Sequence, residues 1–210
     1  MQVLLVNGSP HQSGCTDAAL QAVGAALREA GIGSDTFWIG NHPLTGCVGC
    51  GSCAKTGRCR YEDTVNIFLD AAKDYDGFVF GAPVHFASAA ASMLGFLSRA
   101  FFTDHCAGLN RFAFKPGAAL VSARRAGTTA ALDELNKYLL YAQMPIVTSR
   151  YWNMVHGQTP EEVQKDLEGM QIMRVLGRNM AWLLRSIEAG QKAGIAIPEQ
   201  EPRISTNFIR

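Results

Sequence analysis

The chain has almost no excess charge of either sign. Across 210 residues, 19 Lys and Arg stand against 18 Asp and Glu, a formal balance of +1. That leaves no electrostatic footprint for nucleic acid or an anionic membrane surface, and neither is expected as a partner. Long apolar runs are missing too: none reaches the roughly 18 residues of a membrane span. The opening "MQVLLVNGSP" lacks a basic start, and its apolar run, Val3 to Val6, is too short for a secretory leader. A cytosolic protein is therefore expected. No Gly-Lys-Ser/Thr, G-x-G-x-x-G or H-E-x-x-H occurs, and no Ser-His-Asp constellation suggests a hydrolase. No repeat or Pro/Ser linker divides the chain, so one domain over residues 1–190 is expected, with 191–210 as a C-terminal surface extension.

What is present alternates. "VLLV" reads as a strand buried on both faces. Further strands are predicted at Asp35 to Ile39, Gly77 to Pro83, Gly117 to Ala123 and Pro145 to Ser149. Helical spacing is predicted over Thr16 to Ala30, Val65 to Ala72, Ser88 to Phe102, Thr128 to Tyr141 and, as one long amphipathic helix, Glu161 to Ala189. Five strands alternating with five helices imply an α/β domain with a parallel sheet covered on both faces. Ligands in such sheets bind beyond the carboxyl ends of the strands, where strand order reverses.

Three strand-end loops carry suitable chemistry. "NGSPHQSGCT" turns from strand to helix, and its hydroxyls with the helix N-terminus suit a phosphate; the plainer alternative is a β–α turn capped by Ser and Thr. "GAPVHF" can wall one side of a flat aromatic ligand, although His85 alone reads as an ordinary loop histidine. "SARRAGTT" offers Ser122 and the cations Arg124 and Arg125, or simply a solvated basic loop. Trp38, Trp152 and Trp182 read as core or interface residues, and "YWNMVH" as pocket lining, an interface or a packed extension of the last strand.

Cysteine is the residue in surplus. Four of the six lie in "CVGCGSCAKTGRC" as C-x2-C-x2-C-x5-C: Cys47, Cys50, Cys53 and Cys59. Two successive C-x2-C steps with a later fourth thiol are similar to the compact runs that bind [4Fe–4S] clusters. Gly49, Gly51 and Gly57 permit the tight turns, and Lys55, Arg58 and Arg60 can offset the anionic charge. Thiols without a metal and a zinc site stay open as alternatives. A catalytic C-x-x-C fits less well, because it needs a thiol at a helix N-terminus beside a strand. Cys106 reads as an ordinary core or surface thiol.

Taken together, "NGSPHQSGCT", "GAPVHFASAAASMLGFLSRAF" and the cysteine run followed by "YEDTV" resemble the flavodoxin-like NADPH-dependent FMN reductases and iron–sulfur flavoproteins, over roughly the first 150 residues. The resemblance implies a flavodoxin-like three-layer sandwich with a five-stranded parallel sheet of order 2-1-3-4-5. It implies FMN, with Ser9, His11, Ser13, Cys15 and Thr16 round the phosphate, Pro83, Val84, His85 and Phe86 on the isoalloxazine ring, and Ser122 and Arg124 beside it. It implies NAD(P)H as a transient electron donor, a small acceptor such as a flavin or quinone, and a homodimer or homotetramer. It adds weight to a [4Fe–4S] cluster on Cys47, Cys50, Cys53 and Cys59. One alternative is an electron carrier fed by a ferredoxin-like donor; another is a non-catalytic flavin-binding module. The chain departs from its relatives' pattern at Cys15, often Asn; at His85, often another aromatic; and at Gly95 and Ser98, often Lys and Asp.

Overall fold

A computed structural model describes residues 1–202 together with 204, 206 and 208. Within the expected extension 191–210, Arg203, Ser205, Asn207, Ile209 and Arg210 lie outside the described residues.

The apolar opening forms β1 (Gln2–Asn7), buried from Val3 onward. It sits inside a parallel sheet, flanked by β2 (Gly33–Trp38) and β3 (Gly77–His85). β3 pairs in turn with β5 (Gly117–Ala123), and β5 with β6 (Met154–His156). Counted in chain order, these five parallel strands lie 2-1-3-4-5, as the resemblance implied. A two-residue strand β4 (Ser88–Ala89) adds antiparallel to the end of β3.

Side-chain alternation along β1 divides the core. Leu4 and Val6 face a layer built from α3 (Thr64–Ala71), α4 (Ala91–Ala107) and α5 (Thr128–Tyr141). Val3 and Leu5 face the opposite layer, α1 (Cys15–Glu29) and α7 (Leu167–Lys192). The first layer is rich in phenylalanine; Phe101 and Phe112 stack with ring centroids 4.7 Å apart. The second is closed by near contact of backbones. A Cβ on Gly177 of α7 would lie 2.6 Å from the Val23 carbonyl oxygen of α1, so only glycine lets the helices come this close.

The structure corrects three expectations. Pro145 to Ser149 forms no strand; only Ile146 bridges to Gly117. The chain then leaves the sheet and returns as β6, because the far half of β5, Val121 to Ala123, still has a free edge that Met154 to His156 completes. The long helix expected over Glu161 to Ala189 is two: α6 (Pro160–Lys165) and α7. The break is at Asp166, whose carboxylate accepts from the Gly169 N–H at 2.9 Å, capping α7, and from the His156 N–H at 2.7 Å. Ser88 begins β4 rather than a helix, and α4 starts at Ala91.

Candidate functional site

The β1 loop is held from beneath. Asn7, fully buried, accepts from the Ser9 N–H at 3.0 Å and donates through Nδ2 to the Gln12 carbonyl at 2.9 Å. Ser9 Oγ accepts from the His11 N–H at 3.1 Å, and Trp38 Nε1 donates to the Ser9 carbonyl at 2.8 Å. Gly8 N–H donates to the Gly81 carbonyl at 2.8 Å, tying this loop to β3. The loop delivers the chain to α1 with Gly14 at the N-cap, and no side chain caps that end. The first N–H groups of α1 are thus left to a ligand or to water.

Ser9, His11, Ser13, Cys15 and Thr16 line one open cleft with Pro83 and Val84 from β3, Ser122 from β5 and Arg124 just beyond its end. Nine of the residues singled out for a flavin are so brought together from three strand ends. Between α1 and β5, Thr16 Oγ and Ser122 Oγ share a buried 2.8 Å hydrogen bond. Cys15 Sγ donates to the Gly157 carbonyl at 3.6 Å. Burial pushes its thiol pKa up, and the Glu162 and Glu161 carboxylates add to this, so Cys15 is a neutral donor and a poor nucleophile.

His85 and Phe86 are not brought to this lining. They lie on the hairpin between β3 and β4, where His85 pairs with Ser88 and Phe86 is fully exposed. Phe86 and Ala87 both have positive φ, 52° and 60°, the backbone of a tight hairpin turn. Glu134 of α5 braces it, its Oε2 accepting from Ser88 Oγ and the Ala89 N–H, each at 2.8 Å.

Gly157, Gln158, Thr159 and Pro160 close the other side of the cleft and were not foreseen. A signal was there: Thr159-Pro160-Glu161-Glu162 is a helix-start pattern, with Thr159 Oγ accepting from the Glu162 N–H and Glu162 Oε2 from the Gln158 N–H. Placing the last strand at 145–149 hid that this start follows a strand end.

The four clustered cysteines line a separate shallow hollow, together with Val48, Arg60, Tyr61, Arg99, Phe102 and Thr103. Cys47 and Cys50 are exposed, Cys59 is half-buried and Cys53 is buried. Cys53 opens a single helical turn, α2 (Cys53–Thr56). Burial pushes its pKa up, and adjacent Cys106, whose thiol is within hydrogen-bonding reach, adds to the rise; a fifth thiol therefore abuts the cluster of four. Among the described residues, no three Cys, His, Asp or Glu gather where one metal ion could bind them.

Arg99 of α4 was also not foreseen. It is 1 % exposed. Its Nε and Nη2 donate to Cys59 Sγ at 3.3 and 3.2 Å, and its Nη1 and Nη2 grip the Asp63 carboxylate at 2.7 and 2.9 Å. Its guanidinium lies 4.9 Å from the centre of the Tyr61 ring. Burial alone would lower the Arg99 pKa, but Asp63 and Cys59 outweigh it and keep the side chain charged. Asn66 clamps the same cysteine, accepting from the Cys59 N–H and donating to its carbonyl, both at 2.9 Å. The departures at Gly95 and Ser98 find a reason here. A Cβ on Gly95 would meet the Leu44 carbonyl oxygen at 3.2 Å, and Ser98 Oγ accepts from the Cys47 N–H at 3.2 Å. Small residues let the cysteine loop lie directly on α4.

Strand order 2-1-3-4-5, with a cleft beyond the carboxyl ends of β1 and β3, defines the flavodoxin-like class of α/β proteins. Within it, residues 1–159 match the sequence model of the NADPH-dependent FMN reductases, and the chain belongs to that family. It is 26% identical over 194 residues to an iron–sulfur flavoprotein of Methanocaldococcus jannaschii, covering 90% of this chain and 100% of the relative. An iron–sulfur flavoprotein of Methanosarcina thermophila is 22% identical over 192 residues, covering 90% and 97%. Among solved structures, the NAD(P)H:quinone oxidoreductase of Methanothermobacter marburgensis shares the fold, with a TM-score of 0.64 at 16% identity, covering 86% of this chain and 98% of that one. The protein is thus a flavin-dependent oxidoreductase by family. No helix among the described residues is long and apolar enough to cross a membrane.

Proposed function

We propose that the cleft binds FMN and that the protein passes electrons from NAD(P)H to a small acceptor such as a flavin or quinone. The observation that carries this is the uncapped start of α1, lined about by the hydroxyls of Ser9, Ser13 and Thr16, Ser122 of β5 and Thr159 beyond β6. N–H groups at that helix end, with Ser9, Ser13 and Thr16, would hold the phosphate. Pro83 and Val84 would wall the ring, with His85 and Phe86 on the hairpin that continues from Val84. Ser122 would fix Thr16 for its donor role, and Arg124 would place positive charge beside the ring system. Bound FMN would supply the hydride and one-electron chemistry itself. With no second nucleotide-binding half in the sequence, NAD(P)H would bind transiently over the open face of the cleft. Exposed Trp152 and Trp182 support assembly into a dimer or tetramer. A single domain over residues 1–190 and a cytosolic location complete the reading.

We infer also that Cys47, Cys50, Cys53 and Cys59 hold a [4Fe–4S] cluster. Four soft ligands round one hollow, with a buried cation on one of them, suit a group in which each thiolate binds a different iron. Zinc would instead draw all four onto one ion.

Protein purified without oxygen and loaded with FMN is expected to show bound flavin bands that NADPH or NADH bleaches, and about four irons per chain. Absence of bound flavin would sink the FMN reading, and absence of iron the cluster. Flavin that pyridine nucleotides leave oxidised, but a reduced ferredoxin-like donor reduces, would favour the electron carrier. Flavin that neither reduces would leave a binding module.

A further inference from the structure

We propose that Arg99 sets the reduction potential of the group held by the four cysteines, through its two N–H···S hydrogen bonds to Cys59. This rests on the cluster reading above.

The effect is electrostatic. Reducing such a cluster adds one electron, taken from a low-potential one-electron donor, with no bond broken. The added negative charge spreads onto the ligand sulfurs, so donors aimed at a sulfur favour the reduced state and raise the potential. Arg99 gives one sulfur two such donors, at 3.3 and 3.2 Å. Its side chain is 1 % exposed, so water and salt screen it little. The fork is fixed on every side: Asp63 holds the other edge, and Tyr61 lies against the plane. Asn66 holds the Cys59 backbone, so the sulfur cannot drift from its donors.

Asp63 acts on the same potential through its ion pair with Arg99. Its carboxylate is about a third exposed and neutralises part of the guanidinium charge. It also caps α3, accepting from the Val65 N–H. Asn at this position keeps the cap but removes the opposing charge. An arginine with a merely structural role would give no reason for the two substitutions to move the potential in opposite directions.

The test is an anaerobic redox titration of the FMN-loaded, iron-reconstituted full chain, with iron counted in each sample. Arg99→Gln is expected to cut the reduced-to-oxidised ratio at fixed potential about tenfold, a fall of about 59 mV for one electron. Arg99→Lys keeps the charge but loses the fork, and is expected to lie between that variant and the wild type. Asp63→Asn is expected to raise the potential. Where Arg99→Gln does not fold, the other two variants carry the test. An unchanged potential in iron-loaded Arg99→Lys or Arg99→Gln, or a lowered one in Asp63→Asn, would overturn the proposal. Wild-type protein that takes up no iron would overturn it together with the cluster reading, and the iron count tells that case from the others.

Discussion

The hydrogen bond between Thr16 and Ser122 joins the start of α1 to the end of β5, 106 residues apart in sequence. Thr16 is 1 % and Ser122 3 % exposed, so a hydroxyl left without its partner gains little from water. Thr16→Val keeps the shape and removes the hydroxyl, stranding Ser122 Oγ at a cost of about 1–3 kcal/mol. In a chain of this size that lowers Tm by about 2–4 °C per kcal/mol. Ser122→Ala strands Thr16 in the same way. The double variant strands neither and should recover most of the loss, giving a coupling energy of about 1 kcal/mol or more. Urea unfolding of all four proteins without flavin measures that cycle. FMN titration adds a second readout. Thr16→Val should weaken binding about tenfold, near 1.4 kcal/mol, because it removes a phosphate donor and leaves Ser122 Oγ without its partner. Strict additivity of the two unfolding losses would refute the structural part. Unchanged FMN affinity in Thr16→Val would refute the assignment of Thr16 to the phosphate.

Gly177→Val should cost about 1–3 kcal/mol by overpacking, because its Cβ would fall 2.6 Å from the Val23 carbonyl oxygen and 2.8 Å from Ala26 Cβ; thermal unfolding reads this, and a neutral result would mean that α1 and α7 do not lie so close. Burial raises the Asp104 carboxyl pKa, even though the Arg111 backbone and side chain pull it down. The folded state therefore holds a proton that the unfolded state has released between the ordinary carboxylate range and the raised value. In that window stability falls as pH rises. Asp104→Asn should remove this slope in unfolding measured across it, and an identical pH profile for variant and wild type would contradict the assignment.

Local signals and non-local ones fared differently. The strands at Val3 to Val6 and Gly117 to Ala123 were legible because both faces are buried, which leaves an unbroken apolar run. "PIVTS" looked like a strand on the same ground. Pairing decided otherwise: β5 offered its free edge to Met154 to His156, within "YWNMVH", which in sequence reads equally as pocket lining, an interface or a strand extension. That one displacement concealed Gly157 to Pro160 as part of the cleft. Arg99 was invisible for a similar reason. In sequence it is one charge on a mostly apolar helix; only folding sets it against Cys59 and Asp63, 40 and 36 residues away. Cys106 reads in sequence as an ordinary core or surface thiol, and the packing of α2 on α4 places it beside Cys53.

By itself, the sequence determined the parallel α/β architecture, the three strand-end loops and the four-cysteine run. Those depend on periodicity and short spacing, which one stretch of chain can encode. The tertiary structure alone decided which strand closes the sheet, which loop completes the cleft and which cation meets a cysteine sulfur. Edge pairing, helix packing and burial of charge join residues far apart in the chain, and their partners are settled only when the whole core assembles.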